Sequence, residues 1–172
     1  ILILYPRPDM QEINDLYSAG SFNYCSLQLS CETIDYFYQD LKEIIKIKLS
    51  GDILDYGCSE GKFLDLAKMF GFKTYGLEID RTVIETLRVK GHTIFEDLEN
   101  IKSQKFDIIY CNQVIEHLDD PIRVIDGFYS ILKPGGILII STPTINKLQL
   151  LIYNRRNLFH GEHLFVFNFR SI

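Results

Sequence analysis

Five short β-prone runs, separated by segments of helical periodicity, constrain this chain more than any single motif does. The runs are "GDILDYG", "FKTYGLEI", "HTIFE", "FDIIYC" and "ILIIST", starting at Gly51, Phe72, His92, Phe106 and Ile137. Between them, Phe63, Leu64, Leu66, Ala67 and Phe70 recur at helical spacing up to a stop at Gly71, and Val83, Ile84 and Leu87 do so up to Gly91. Asp80 is placed to cap the second of these helices. Asp120-Pro121 opens a third, with Ile122, Ile125, Phe128, Tyr129 and Leu132 as its expected apolar face, and "KPGG" is the expected turn into the fifth strand.

A strand followed by a helix and another strand closes as a right-handed crossover, which makes neighbouring strands parallel and covers both faces of the sheet. The expected fold class is therefore α/β, a doubly wound, mostly parallel Rossmann-like sheet. Upstream, residues 33–47 carry Ile34, Phe37, Tyr38, Leu41, Ile44 and Ile45 on one stripe and predict an amphipathic lead-in helix.

With 172 residues, 47% of them hydrophobic and 24% charged, one core of ordinary size accounts for the whole chain. The net charge of −5 argues against a general nucleic-acid binder, which needs a basic footprint. No apolar run approaches the roughly 20 residues of a membrane span. The four cysteines, Cys25, Cys31, Cys58 and Cys111, form no CxxC pair, so the reading is a reducing, cytoplasmic compartment without a zinc site. The chain starts at Ile1 without the basic and small-residue marks of a signal peptide, as expected of a trimmed chain.

The first strand-to-helix turn carries the chemistry. In "ILDYGCSEGKFL", residues 53–64, an acid, two glycines and a serine crowd into one short connection. A Walker A loop needs four residues between its first glycine and Gly-Lys, but only three separate Gly57 from Gly61-Lys62, and Phe63 stands where Ser or Thr belongs. A dinucleotide GxGxxG from Gly57 fails at Ser59 and Lys62, which disfavours a nicotinamide oxidoreductase.

What the turn does present is Asp55-x-Gly57-x-Ser59-x-Gly61, which resembles the first motif of class I S-adenosylmethionine-dependent methyltransferases. Glycines allow close backbone approach to a ligand, and the carboxylate can balance the ligand's ammonium group. Four further matches extend the resemblance from about Leu49 to Thr144: Glu78 closing the second strand, Asp97 in "IFEDLEN" after the third, "FDIIYCNQVIEHLDDP", and "LKPGG" before the fifth strand. Together they look like the subgroup that includes quinone-ring and sugar O-methyltransferases.

The resemblance implies S-adenosyl-L-methionine as cofactor, S-adenosyl-L-homocysteine as product and a small-molecule methyl acceptor, methylated at oxygen. It implies that Asp55, Gly57, Cys58, Ser59 and Gly61 form the cofactor turn, that Glu78 takes the ribose hydroxyls and that Ile79 packs on the adenine. Asp97 and Leu98 fall at the adenine amino group, and Asn112 and Gln113 face the methionine part.

Some relatives bind a metal through Glu-x-x-Glu-His; here the run is Gln113-x-x-Glu116-His117, one carboxylate short, so no metal is expected. His117 and His163 are the candidate catalytic bases, each with an alternative role in ordering its loop. Arg155 and Arg156 either meet an anionic acceptor or are solvated. Tyr17 and Tyr24 are candidate lid contacts.

The expected domain organisation is one methyltransferase domain: residues 1–48 as lid and lead-in helix, 49–144 as cofactor-binding core, and 145–172 as the start of a substrate-side part. The family's sixth and seventh strands find no counterpart before Ile172, so the fifth strand is expected to need further chain, or a homodimer partner, on its edge. An alternative reading, given Ser59 in place of glycine and Gln113 in place of glutamate, is a methyltransferase-like binding or scaffold domain without turnover.

Overall fold

The computed structural model describes residues 2–3, 31–101, 103–143 and 165–166, with side chains from residue 36 onward except at 165–166. A short β1 (Leu2–Ile3) is followed by α1 (Cys31–Ile47), β2 (Asp52–Tyr56), α2 (Lys62–Met69), β3 (Lys73–Leu77) and α3 (Arg81–Val89). Then come β4 (Thr93–Phe95), β5 (Phe106–Asn112), α4 (Pro121–Ile131), β6 (Leu132–Ser141) and β7 (Phe165–Val166). Strands β4-β3-β2-β5-β6 form one all-parallel sheet in that order, while β1 and β7 pair as a separate antiparallel ribbon. The doubly wound class is as expected, and strand order reverses direction at β2, where β3 lies on one side and β5 on the other.

Period-two alternation assigns the sheet residues to two faces. Ile53, Ile108 and Tyr110 face Leu41 and Ile44 of α1 and Phe63 and Ala67 of α2. Leu54, Tyr56, Ile109 and Cys111 face the opposite way, toward Phe128 and Ile131 of α4. Phe63 stacks on Tyr110 at 3.9 Å between ring centres, and Tyr56 meets Phe128 edge-on at 4.9 Å. A third cluster joins Leu64 of α2 to Ile84 and Leu87 of α3 and to Ile94 of β4.

The predicted helix ends are in place. Gly71 follows the α2 cap at φ 89°, Asp80 accepts from Thr82 N at 2.8 Å, and Asp120 accepts from Arg123 N at 3.1 Å with Pro121 in the first turn.

Three expectations are corrected. "KPGG" is no turn between separate elements: α4 runs into β6, and Lys133–Gly136 bulge between the pairs Phe106/Leu132 and Ile108/Ile137. Leu132 is accordingly a strand residue, and Ile122 and Tyr129 of α4 point outward, because the buried stripe runs through Pro121, Phe128 and Ile131, about 100° per residue away. Tyr38 and Phe70 are likewise exposed, packed on each other at 6.1 Å at the edge of the α1–α2 contact.

The bulge has a purpose at the amino ends of the strands. Lys133 Nζ donates to Asp52 at 2.7 Å and to Asp107 at 2.8 Å, and Asp107 also accepts from Asp52 N and pairs with Lys48. Desolvation opposes the Asp107 charge, but the hydrogen bonds from Lys133 and Lys48 hold its carboxyl well below the usual range. This network ties β2, β5 and β6 together at the end of the sheet away from the Gly-rich turn.

Candidate functional site

The site lies where α/β sheets of this kind bind ligands, at the carboxyl ends of the strands beside the reversal point. After β2 the chain turns through Gly57 (φ 80°), Ser59 (φ 45°) and Gly61 (φ 74°) into α2. Glycine is required at both flanks on two counts, conformation and space. A Cβ on Gly57 would stand 2.5 Å from Val114 Cγ2, and one on Gly61 would collide with Leu87. Ser59 adopts the left-handed region without that freedom, a strain of about 1–2 kcal/mol.

The turn is held from β3. Gly57 N and Cys58 N both donate to Leu77 O, at 2.9 and 3.1 Å. Glu78, one residue beyond β3, reaches back: its Oε2 accepts from Ser59 N at 2.8 Å, while Oε1 accepts from Ile79 N and Asp80 N. Glu78 is thus fixed at the strand end with its carboxylate on the turn, a position suited to a diol ligand. Ile79 beside it is open to solvent.

Asp55 lies beneath the turn and is 4% exposed. Burial, reinforced by the Glu78 charge, raises its carboxyl from 3.8 to about 8. A cationic group placed beside Asp55 would reverse that shift, so the residue suits a ligand carrying an ammonium.

The side chains of Cys58 and Leu98 both pack inward. The Cys58 side chain is buried with Leu64, Ile84, Leu87 and Ile94, where burial pushes its thiol up, and only its backbone belongs to the turn. Leu98 packs against the main core cluster. Asp97, beyond β4, accepts from Asn100 N and Nδ2 at 2.8 and 2.7 Å, closing the short turn at Glu99–Ile101. Together with Arg88, Ile94, Phe95, Glu96 and Asn100 it lines a polar groove of about 400 Å³ on the outer flank.

On the other side of β2, Asn112 and Gln113 leave the end of β5, with Gln113 at φ 55° and its N–H donating to Ser141 O at 2.7 Å. The next turn, Ile115–His117, buries Glu116, whose Oε2 accepts from Thr142 Oγ1 at 3.0 Å and whose Oε1 lies 4.0 Å from His117 Nε2. The β1/β7 ribbon lies against this turn. His163, Arg155, Arg156, Tyr17 and Tyr24 fall outside the described residues. Among the described residues no His, Cys, Asp and Glu group is arranged to hold a metal ion, and no described helix is long and apolar enough to cross a membrane.

Sequence reasoning missed Tyr36. It stands on α1, outside the stripe read as apolar, and its hydroxyl donates to Asn112 Oδ1 at 2.9 Å and lies 3.4 Å from Ser141 Oγ. One helical turn on, Asp40 accepts from Tyr110 OH at 2.6 Å. The i, i+4 pair Tyr36 and Asp40 therefore fastens α1 across β5, which only the spacing of two polar groups beside the stripe could have signalled.

Comparison with known proteins gives a family from the sequence and a shared fold from solved structures. Residues 18–172 match a family described as a methyltransferase domain. The chain is 25% identical over 174 residues to the ubiquinone biosynthesis O-methyltransferase of Psychrobacter arcticus, covering 90% of this chain and 65% of that protein. It is 28% identical over 166 residues to the protein of the same name from Actinobacillus pleuropneumoniae, covering 85% and 69%. The chain therefore spans about two thirds of the length of these relatives. Among solved structures, magnesium protoporphyrin IX methyltransferase from Synechocystis, with bound SAH, shares the fold at a TM-score of 0.68 and 18% identity over 95% of this chain and 85% of that one. A SAM-dependent methyltransferase from Archaeoglobus fulgidus does so at 0.64 and 22%, over 95% and 70%.

Proposed function

Because this chain belongs to the class I S-adenosylmethionine-dependent methyltransferases, we propose that it binds S-adenosyl-L-methionine at the Gly57–Gly61 turn and methylates a small-molecule acceptor at oxygen. The observation that carries the reading is the Glu78 carboxylate fastened onto a strained glycine turn above buried Asp55. The residues fit the cofactor: a diol meets Glu78, an ammonium meets Asp55, and Ile79 offers an apolar surface for a flat ring. Names of the O-methyltransferase relatives favour oxygen as the methylated atom.

A bound sulfonium supplies a methyl group that is already electrophilic, so the protein's part is orientation and proton removal. Glu78 holds the ribose, Asp55 the ammonium, and Asn112 and Gln113 the methionine chain. Asp97 and the Leu98 backbone border the adenine edge. His117 takes the acceptor's proton, with His163 as the second candidate from the tail. Within this reading residues 49–144 are the cofactor-binding core, 1–48 the lid and lead-in helix, and 145–172 the start of the substrate side. The half-exposed strand β6 would pair with further chain or with a second copy. Buried Cys58 and Cys111, both free thiols, favour a reducing compartment such as the cytoplasm.

The test is transfer of an isotope-labelled methyl group from S-adenosyl-L-methionine to a panel of small hydroxylated acceptors, carboxylated and phosphorylated ones included. We expect labelled methyl ether with one acceptor class, and loss of transfer in Glu78→Ala and Asp55→Ala. Cofactor binding without transfer to any acceptor would overturn the enzymatic reading.

A further inference from the structure

The Gly57–Gly61 turn has two unequal halves. Its first half is sewn to β3 by the bonds from Gly57 N and Cys58 N to Leu77 O. Its second half contains left-handed Ser59 and Gly61, and such strained backbone persists only where its surroundings hold it. Among the described residues, Glu78, accepting from Ser59 N, and Lys90, whose Nζ donates to Glu60 O at 3.0 Å, reach its backbone from other elements.

Glu78 has a second task in the proposed function, and the two tasks compete. A carboxylate offers about four lone-pair positions, and three backbone N–H groups already occupy Glu78. Two ribose hydroxyls need two positions, so at least one bond must yield. The bond from Ser59 N alone crosses from the strand end to the turn. Its loss on binding would leave Lys90 as the side-chain tether of the strained half.

Lys90 is built for this. It caps α3, and its ammonium also pairs with Asp65 Oδ2 at 2.7 Å. The other Asp65 oxygen meets His92 Nε2 at 2.9 Å, and His92 Nδ1 meets Thr74 Oγ1 at 2.8 Å. Asp65 lies in the first turn of α2, Thr74 in β3, and the His92 ring lies 3.9 Å from where a Cβ on Gly61 would stand. Burial works against the Asp65 charge, but hydrogen bonds from Lys90 and His92 overcome it and hold the carboxyl below its usual range. Lys68 of α2 donates in turn to Lys90 O at 2.7 Å, fixing the backbone from which Lys90 projects.

We infer that Lys90 is a positioning residue for the cofactor turn, which carries Ser59–Gly61 in the binding conformation while Glu78 exchanges a backbone partner for the ribose. The inference rests on the proposed cofactor reading. Lys90 touches no ligand; it acts through the Glu60 carbonyl.

Calorimetric titration of S-adenosyl-L-homocysteine into wild type, Lys90→Met, Lys90→Arg and Lys133→Met tests it, with thermal midpoints recorded for all four. Loss of a charge-assisted hydrogen bond predicts about tenfold weaker binding in Lys90→Met, and Lys90→Arg, which keeps a cationic donor, should restore most of it. Lys133→Met, which breaks the bridge to Asp52 and Asp107 at the far end of the sheet, should lower the midpoint without weakening binding. Unchanged affinity in Lys90→Met, or equal weakening in Lys133→Met, overturns the inference alone. Wild-type protein that fails to bind overturns the cofactor reading and this inference with it.

Discussion

The two sides of β2 are built differently. On the β3–β4 side, Gly57 and Gly61 of the turn are both left-handed and crowded, a buried acid lies beneath the turn, and Glu78 and Lys90 fasten its backbone. On the β5–β6 side the contacts are looser: Tyr36 is 45% exposed where it meets Asn112 and Ser141, and β6 is half-exposed along most of its length. The first side suits an invariant ligand that must be held in one pose. The second, beyond Asn112 and Gln113 at the end of β5, leaves surface for a variable one, reached by elements that can differ without disturbing the sheet.

Inserting side chains into glycines on each side gives the largest contrast. Gly61→Val forces a β-branched residue to φ 74° against Leu87, and combined strain and overpacking predict a loss of about 2–5 kcal/mol in chemical denaturation. Gly135→Ala, in the β6 bulge at φ 73° with nothing within 4 Å of the new Cβ, should cost only the backbone term, about 1–2 kcal/mol. Similar losses at the two positions would break the contrast.

Protons give the next. The folded-state carboxyl of Asp55 titrates near 8 against 3.8 ordinarily, so the folded protein binds the extra proton between those values and stability falls as pH rises through that window. The slope from this one group is at most about 1.4 kcal/mol per pH unit, and Asp55→Asn should remove it from denaturation curves between pH 5 and about pH 8. An ammonium ligand favours the ionised form, so binding should release a proton, seen as a buffer-dependent binding enthalpy. A curve unaltered by Asp55→Asn would place the acid outside the linkage.

The smallest effect belongs to Tyr36→Phe, which deletes one exposed hydroxyl. It should cost about 0.5 kcal/mol of stability and leave S-adenosyl-L-homocysteine affinity within about twofold, while changing the apparent affinity for acceptor. A large loss of cofactor binding would move Tyr36 to the other side of the comparison.

The same asymmetry governs what the sequence reveals. Gly57, Gly61, Glu78 and the strand–helix alternation are local signals, each imposed by a turn or a periodicity; the structure has the two glycines in the strand-to-helix turn and Glu78 just beyond β3. Lys90 is 30 positions from the Glu60 carbonyl it holds and has no local trace, and Tyr36 is 76 from Asn112, its one local trace being the i, i+4 spacing with Asp40. Ile122 and Tyr129 mislead because a helical wheel gives the width of an apolar stripe but not which edge the sheet covers. "KPGG" misleads because a glycine pair marks a bulge as readily as a turn, and only the Lys133 bridge between Asp52 and Asp107 distinguishes them.

The most direct test of the central claim, that the turn and Glu78 form a cofactor site, is calorimetric titration of S-adenosyl-L-homocysteine into wild type and Glu78→Ala. The account predicts one site at about micromolar affinity in wild type, weakened on the order of a hundredfold when the carboxylate that takes the ribose is removed. Absence of binding in the wild type, or equal binding in both, would contradict it.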